Sequence, residues 1–174
     1  MSECFSRPMA LDQIRDGARI DLVATDGERQ DISSDLGLET LGRLDAHAML
    51  ERSGEKVRAR GRIQAALTQS CVVTGEPVAA HIDEPFDLTF APEIADIEPD
   101  SEIELGAKDC DTVFHDGAAI DLGRAIIDTL ALSIDPFPRS AGADAALKEA
   151  GIMTQAEASP FAALAALKGR EASD

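Results

Sequence analysis

From Val57 to Leu67 the chain reads Val-Arg-Ala-Arg-Gly-Arg-Ile-Gln-Ala-Ala-Leu, with apolar and polar side chains taking turns. Successive side chains of a strand point to opposite faces. This run is therefore a β-strand with Val57, Ala59, Gly61, Ile63, Ala65 and Leu67 on one face and Arg58, Arg60, Arg62 and Gln64 on the other. A strand with one apolar face needs partners. Ser53-Gly54 just before it is a turn signal, and Leu44, Ala46, Ala48 and Leu50 repeat the same alternation upstream, which predicts a hairpin. A shorter alternation at residues 19–24 predicts an N-terminal strand, with Asp26-Gly27 read as the turn that closes it. Downstream, Thr74-Gly75-Glu76-Pro77 marks another turn. Ile82, Phe86, Leu88 and Phe90 then sit at even spacing in a further antiparallel strand, with Pro85 expected at an edge or bulge.

The helical signals come later in the chain. Leu122, Ile126, Leu130 and Ile134 fall at four-residue steps, and Ala125, Ile127 and Ala131 widen the stripe. That spacing predicts an amphipathic helix packed on the sheet, capped by Asp121 and stopped by Pro136 and Pro138. Two more helices are expected, Ala143 to Ala150 ended by Gly151, and Ser159-Pro160 through Phe161, Leu164 and Leu167 to Gly169. Between sheet and helix, residues 91–112 are acidic and carry Pro92 and Pro99, the composition of a long solvated loop. The expected architecture is α+β: a twisted antiparallel sheet against one amphipathic helix in a core domain of residues 1–140, then a helical tail over 141–174.

Charge narrows the function. The 174 residues hold 33 acids and 16 bases, a net charge of −17, and the only aromatics are six Phe. A protein that coats nucleic acid presents a basic surface or aromatic platforms, and neither dominates here. The acid is concentrated: residues 83–128 carry 14 acids and two bases, whereas residues 51–62 carry five bases and two acids. Such a block attracts basic surfaces and repels polyanions. Arg58, Arg60 and Arg62 are the one feature that points directly to RNA, as three phosphate contacts from one strand face. The alternatives are that they pair with the acidic block or simply keep that sheet face soluble.

Chemistry-bearing motifs are sparse. Cys4, Cys71 and Cys110 are an odd, widely spaced set, best read as reduced thiols. A zinc site at Cys71 would want a second thiolate near position 74, where Thr74 stands, so no metal is expected. Cys71 with His81 or His115 lacks the local motif of a nucleophilic site. Carboxylate pairs in so acidic a block are uninformative, and no glycine-rich phosphate loop is present. No apolar run is long enough to cross a bilayer, and no signal-peptide stretch opens the chain. A cytoplasmic protein is expected, without enzymatic activity, cofactor, membrane or small-molecule substrate.

Three ordered motifs carry a family resemblance. They are Gln69-Ser-Cys71-Val-Val-Thr74-Gly-Glu76-Pro77-Val78, then Ile82-Asp-Glu84-Pro-Phe86 with Phe90, then Ile120-Asp121-Leu122-Gly123 opening a helix that runs to Pro136-Phe-Pro138-Arg139. Over roughly residues 5–168 the chain resembles the large ribosomal RNA subunit accumulation proteins, the YceD family. Ser159-Pro160-Phe161-Ala-Ala-Leu164 resembles its alphaproteobacterial branch. The resemblance makes Cys71, Glu76, Pro77, Asp121, Leu122, Pro136, Pro138 and Arg139 the family-motif residues. Many relatives carry a cysteine pair at the first motif and another near the prolines; this chain keeps Cys71 but has Thr74 and Arg139 at those places. The implied role is support of 23S rRNA accumulation in large-subunit biogenesis. The expected partners are basic ribosomal or rRNA-processing proteins, with 23S rRNA itself as the alternative partner of the arginine face.

Overall fold

Two neighbouring alternating runs build the centre of the sheet. The computed structural model of the protein describes residues 5–93 and 111–152. Strands β3 (Thr40–Ser53) and β4 (Lys56–Ser70) form an antiparallel hairpin in which Ser53 faces Lys56. Gly54 and Glu55 alone make the connection. Gly54 has φ +66° and no described non-glycine residue is left-handed, the sign pattern of a type II′ turn, whose twist matches that of the strands. The apolar faces land as the alternation requires: Leu44, Ala46, Ala48 and Leu50 of β3 and Val57, Ala59, Ile63, Ala65 and Leu67 of β4 are all buried.

Gly61 fills the remaining inward position of β4 for a packing reason. A Cβ there would lie 1.8 Å from the His47 carbonyl oxygen and 2.8 Å from Cζ of Phe86. The Phe86 ring occupies the space that a side chain at position 61 would need. Strand β2 (Ala18–Val23) adds antiparallel to β3, and β5 (Pro77–Pro92) lies beyond β4. Strand β6 (Thr112–His115) completes the order β2-β3-β4-β5-β6, while β1 (Pro8–Ala10) and β7 (Ala119–Asp121) form a separate antiparallel pair.

The sheet is mixed rather than wholly antiparallel, because β6 runs parallel to β5. A parallel return needs a long connection, and the stretch between β5 and β6 supplies one. The loop expected over 91–112 is correspondingly shorter at both ends: Ala91 and Pro92 still belong to β5, and Thr112 opens β6. The rest of that stretch, 94–110, lies outside the described residues. Because β6 pairs only with Thr89–Pro92, Pro85 sits where β5 has no further neighbour among the described residues, a place that tolerates its missing N–H.

Helix α1 (Asp26–Asp35) replaces the turn expected at Asp26-Gly27. Its start is a capping box: the Thr25 side chain accepts from the Glu28 N–H, and the Glu28 carboxylate accepts from the Thr25 N–H. Fully buried Ile32 anchors it against the sheet side. Helix α2 (Leu122–Ser133) buries Leu122, Ala125, Ile126 and Leu130, with Ile127 half-buried; Ala131 points to solvent and does not extend the stripe. Each fully buried Leu or Ile contributes about 1.5–3 kcal/mol over leaving it exposed. Gly123 lets this helix approach the N-terminal backbone, since a Cβ there would lie 1.9 Å from the Phe5 carbonyl oxygen. Helix α3 (Ala143–Glu149) follows and ends before Gly151, as expected; the Ser159 to Gly169 helix lies outside the described residues.

The chain forms two compact units. One is Met1–Gln69 with Ala79–Pro136, which holds the sheet, α1 and α2; the other is Ser70–Val78 with Phe137–Asp174, which holds the Cys71 turn and α3.

Candidate interaction surface

The outward face of the sheet collects charge from four strands. Cross-strand register places Asp21, His47 and Arg62 in one row, Arg19, Met49 and Arg60 in the next, and Glu51 beside Arg58. Each of the three ladder arginines is already engaged. Arg58 grips Asp87 with two donors, Nε to Oδ1 at 2.7 Å and Nη2 to Oδ2 at 2.5 Å. Arg62 Nε donates to Asp83 Oδ1 at 2.5 Å, and Arg60 Nη2 donates to Glu51 Oε1. Partner numbers rise along β5 as they fall along β4, the sense of an antiparallel pair. Hydrogen bonding to Arg58 holds the Asp87 carboxyl below the usual carboxylate range, and the same bond raises Arg58. His47 Nδ1 lies 2.7 Å from Asp21 Oδ1, and Arg43 pairs with Asp45 on the same face. Five arginines thus stand among five carboxylates. In an acidic protein, this face is locally close to neutral.

Cys71 organises the second unit. Its N–H donates to the Glu76 carbonyl at 2.7 Å and its carbonyl accepts from Gly75 N–H at 2.9 Å, closing the Cys71–Glu76 turn. Val72 N–H donates to the Pro138 carbonyl at 2.9 Å, so the turn and the post-proline segment are joined through the main chain. The Cys71 sulfur accepts from the Ser140 N–H at 3.2 Å and the Thr74 N–H at 3.5 Å. Thr74 Oγ1 lies 3.2 Å from Ser140 Oγ and donates to Glu76 Oε2 at 3.1 Å. The Thr74 side chain and the N–H groups of Ser140, Thr74 and Val73 outweigh burial and bring the Cys71 thiol down to about 6. Hydrogen bonds from Ser140 and Thr74 lower Glu76 in the same way. Arg139 turns to Asp144 at 3.3 Å.

Asp121 ties the start of α2 to the N-terminal segment. One carboxylate oxygen, Oδ1, accepts from the Arg124 N–H at 3.0 Å and the Arg7 N–H at 2.8 Å; Oδ2 accepts from Ser6 Oγ at 2.5 Å. Burial pushes this carboxyl up, but the bonds from Ser6, Arg124, Arg7 and Gly123 outweigh it and leave it lowered. Next to Asp121, Leu122 is fully buried.

Residues 59–168, more than half of the chain, match the family described as large ribosomal RNA subunit accumulation protein YceD. The chain belongs to that family. No curated protein and no solved structure matches it. The YceD description ties the chain to accumulation of the large ribosomal RNA subunit. Of the motif residues, Cys71, Glu76, Pro77, Pro138 and Arg139 fall in the second unit, and Asp121, Leu122 and Pro136 in the first. The Cys71 sulfur accepts from the N–H groups of Thr74 and Ser140, and no group of three or more His, Cys, Asp or Glu among the described residues is arranged to hold an ion.

Two features escaped the sequence. The pairing of Arg60 back to Glu51 on β3 was hidden because it depends on register. The other is a concavity of about 450 Å³ beside α2, floored by Phe90, Ile120 and Ala125 and rimmed by His115, Asp116 and Arg124. The His115 ring is fixed there at both nitrogens: Gly117 N–H donates to Nδ1 at 3.0 Å, and Nε2 lies 3.0 Å from the Glu55 carbonyl oxygen. His81 is exposed on β5. Among the described residues no helix is long and apolar enough to cross a membrane.

Proposed function

We propose that this YceD-family chain is a non-enzymatic cytoplasmic factor in large ribosomal subunit biogenesis. It supports 23S rRNA accumulation as an acidic adaptor that engages a basic ribosomal or rRNA-processing protein. The observation that carries the reading is the internal pairing of Arg58, Arg60 and Arg62 with Asp87, Glu51 and Asp83. A direct RNA-binding module needs those donors free. With them engaged, what the protein offers at long range is the field of a −17 chain, which steers basic surfaces and repels phosphate.

The test presents the purified full chain with ribosomal proteins stripped from the large subunit and, separately, with naked 23S rRNA fragments at near-physiological salt. The adaptor reading expects one or a few identifiable basic proteins to be retained, with retention weakening as salt rises, and no retardation of naked RNA. Retardation of RNA without any retained protein replaces it with the RNA-binding module.

A further inference from the structure

The arginine ladder has the geometry of a polyanion site and the chemistry of an occupied one. Alternate residues of a strand on one face stand about 7 Å apart, so Arg58, Arg60 and Arg62 form an evenly spaced row of guanidinium groups beside an exposed sheet surface. The fork of Arg58 on Asp87 is the planar two-donor grip that guanidinium groups also use on phosphate. Asp83 and Glu51 each accept a single donor from its neighbours Arg62 and Arg60. Arg60 Nε is shielded from solvent with no partner among the described residues, an unsatisfied donor that a phosphate reaches once the Arg60 side chain swings off Glu51. All three pairs are half exposed to solvent, so the carboxylates are exchangeable rather than locked in.

We propose that the outward face of β3, β4 and β5 is a latent contact surface for the sugar-phosphate backbone of single-stranded RNA, and that Glu51, Asp83 and Asp87 act as built-in phosphate stand-ins that keep it closed. The proposal goes beyond the adaptor reading and does not depend on it. The exchange is balanced in charge: each arginine gives up a carboxylate and gains a phosphate. It also predicts a distinctive salt response. Binding of phosphate to a free arginine releases condensed counterions, about 0.7 per phosphate on a single strand, so three open arginines give a slope of log K against log salt near −2. In the wild-type protein every displaced carboxylate takes up a cation in return, which flattens the slope and removes the driving force. Phe86 and Phe90 of β5 are buried on the opposite side and no Phe stands beside the ladder on β3 or β4, so the contact is to the backbone and independent of base sequence.

The experiment measures binding of a short oligouridylate RNA by the full-length protein at several salt concentrations. Three variants accompany the wild type. E51Q/D83N/D87N opens the ladder. D12N/D31N/D128N changes the net charge by the same three units on the 3-10 turn Leu11–Gln13, α1 and α2, where none of the three carboxylates has an ion pair among the described residues. The third adds R58Q/R60Q/R62Q to the opened ladder. Far-ultraviolet circular dichroism confirms that each is folded.

The opened ladder is expected to bind about tenfold more tightly than wild type, from three exposed pairs each worth a few-fold. Its salt slope should approach −2, and the off-face variant should stay close to wild type. Equal gains in the two acid-neutralised variants would mean that net charge alone is at work, and the proposal fails. It fails equally if the gain survives loss of the arginines, or if no variant binds. Capture of basic proteins by the wild-type chain is read out separately, so failure here leaves the adaptor reading standing, and failure to capture a basic protein leaves this one; wild-type binding as tight as that of the opened ladder would overturn this one.

Discussion

Replacing Asp121 with alanine removes one side chain that serves two backbone segments. In the native protein Oδ1 accepts from both the Arg124 and Arg7 N–H groups, and Oδ2 accepts from Ser6 Oγ. Loss of a helix N-cap costs about 1 kcal/mol, within a range of about 0.5–2. Stranding the part-buried Arg7 N–H adds about 1–3 kcal/mol, toward the lower figure where water reaches it. D121A should therefore destabilise by about 2–4 kcal/mol in urea titration and speed amide exchange at Arg7 and Arg124 together. D121N keeps an Oδ1 that accepts both N–H groups and loses mainly the charge at the helix start, about 0.3–1 kcal/mol. The sign with pH follows from the lowered carboxyl: its contribution is complete above the unfolded value of about 3.9 and fades as pH falls through the lower folded value. Wild type should thus lose more of its advantage over D121N below that pH than above it. If D121N costs as much as D121A, the charge and not the shared acceptor holds the segment, and the reasoning is wrong. If D121A costs under about 0.5 kcal/mol, the cap carries no weight.

Other changes probe separate parts of the fold. G61A puts a methyl group 1.8 Å from the His47 carbonyl oxygen, and main chain in a paired strand cannot step aside; it should cost at least the upper part of the about 1–3 kcal/mol overpacking range, read as a lowered urea midpoint. T25A removes the α1 cap and should cost about 1 kcal/mol by the same titration, with faster exchange at the Glu28 amide. Burial raises the Glu28 carboxyl, but bonds from the Thr25 N–H, Arg7 and the Thr25 hydroxyl lower it overall, so E28Q should cost stability at neutral pH and little in acid. Cys71, brought down to about 6, should be mostly thiolate at neutral pH. Since an unfolded thiol titrates near 8.5, Cys71 contributes fully above about 8.5 and loses its contribution as pH falls toward 6. Thiolate absorbance of a C4S/C110S variant should show its midpoint near 6, and a midpoint above 8 would mean that the hydrogen bonds to sulfur are absent.

The parts legible in the sequence were those whose pattern is local and repeated. The hairpin of Leu44–Leu50 with Val57–Leu67 announces itself because one face is wholly apolar, and a one-residue slip would expose it. Helix α2 does so because four apolar residues recur at one helical face. Helix α1 was illegible to the same test: among Asp26–Asp35 only Ile32 is a large apolar residue, and Gly27 next to an aspartate imitates a turn. Its signal was the Thr25-x-x-Glu28 capping box, a matter of hydrogen-bond termini and not of periodicity. The parallel placement of β6 was hidden because four residues carry no directional information, and direction is set by where the intervening chain returns.

Sequence alone determined that the chain builds an amphipathic sheet, that α2 begins at Asp121, and that the charge is divided between a basic strand and an acidic block. Alternation, capping and net charge are properties of neighbours along the chain, so they survive without coordinates. Only the tertiary structure decided what the three arginines do. Arg58 and Asp87 are 29 positions apart, and Arg60 and Glu51 are nine. Which carboxylate meets which guanidinium depends on strand register, the one quantity that side-chain pattern on a solvated face leaves free and that the buried face fixes. The same holds for Cys71: the Ser140 N–H that helps to hold its sulfur as an anion comes from 69 residues away.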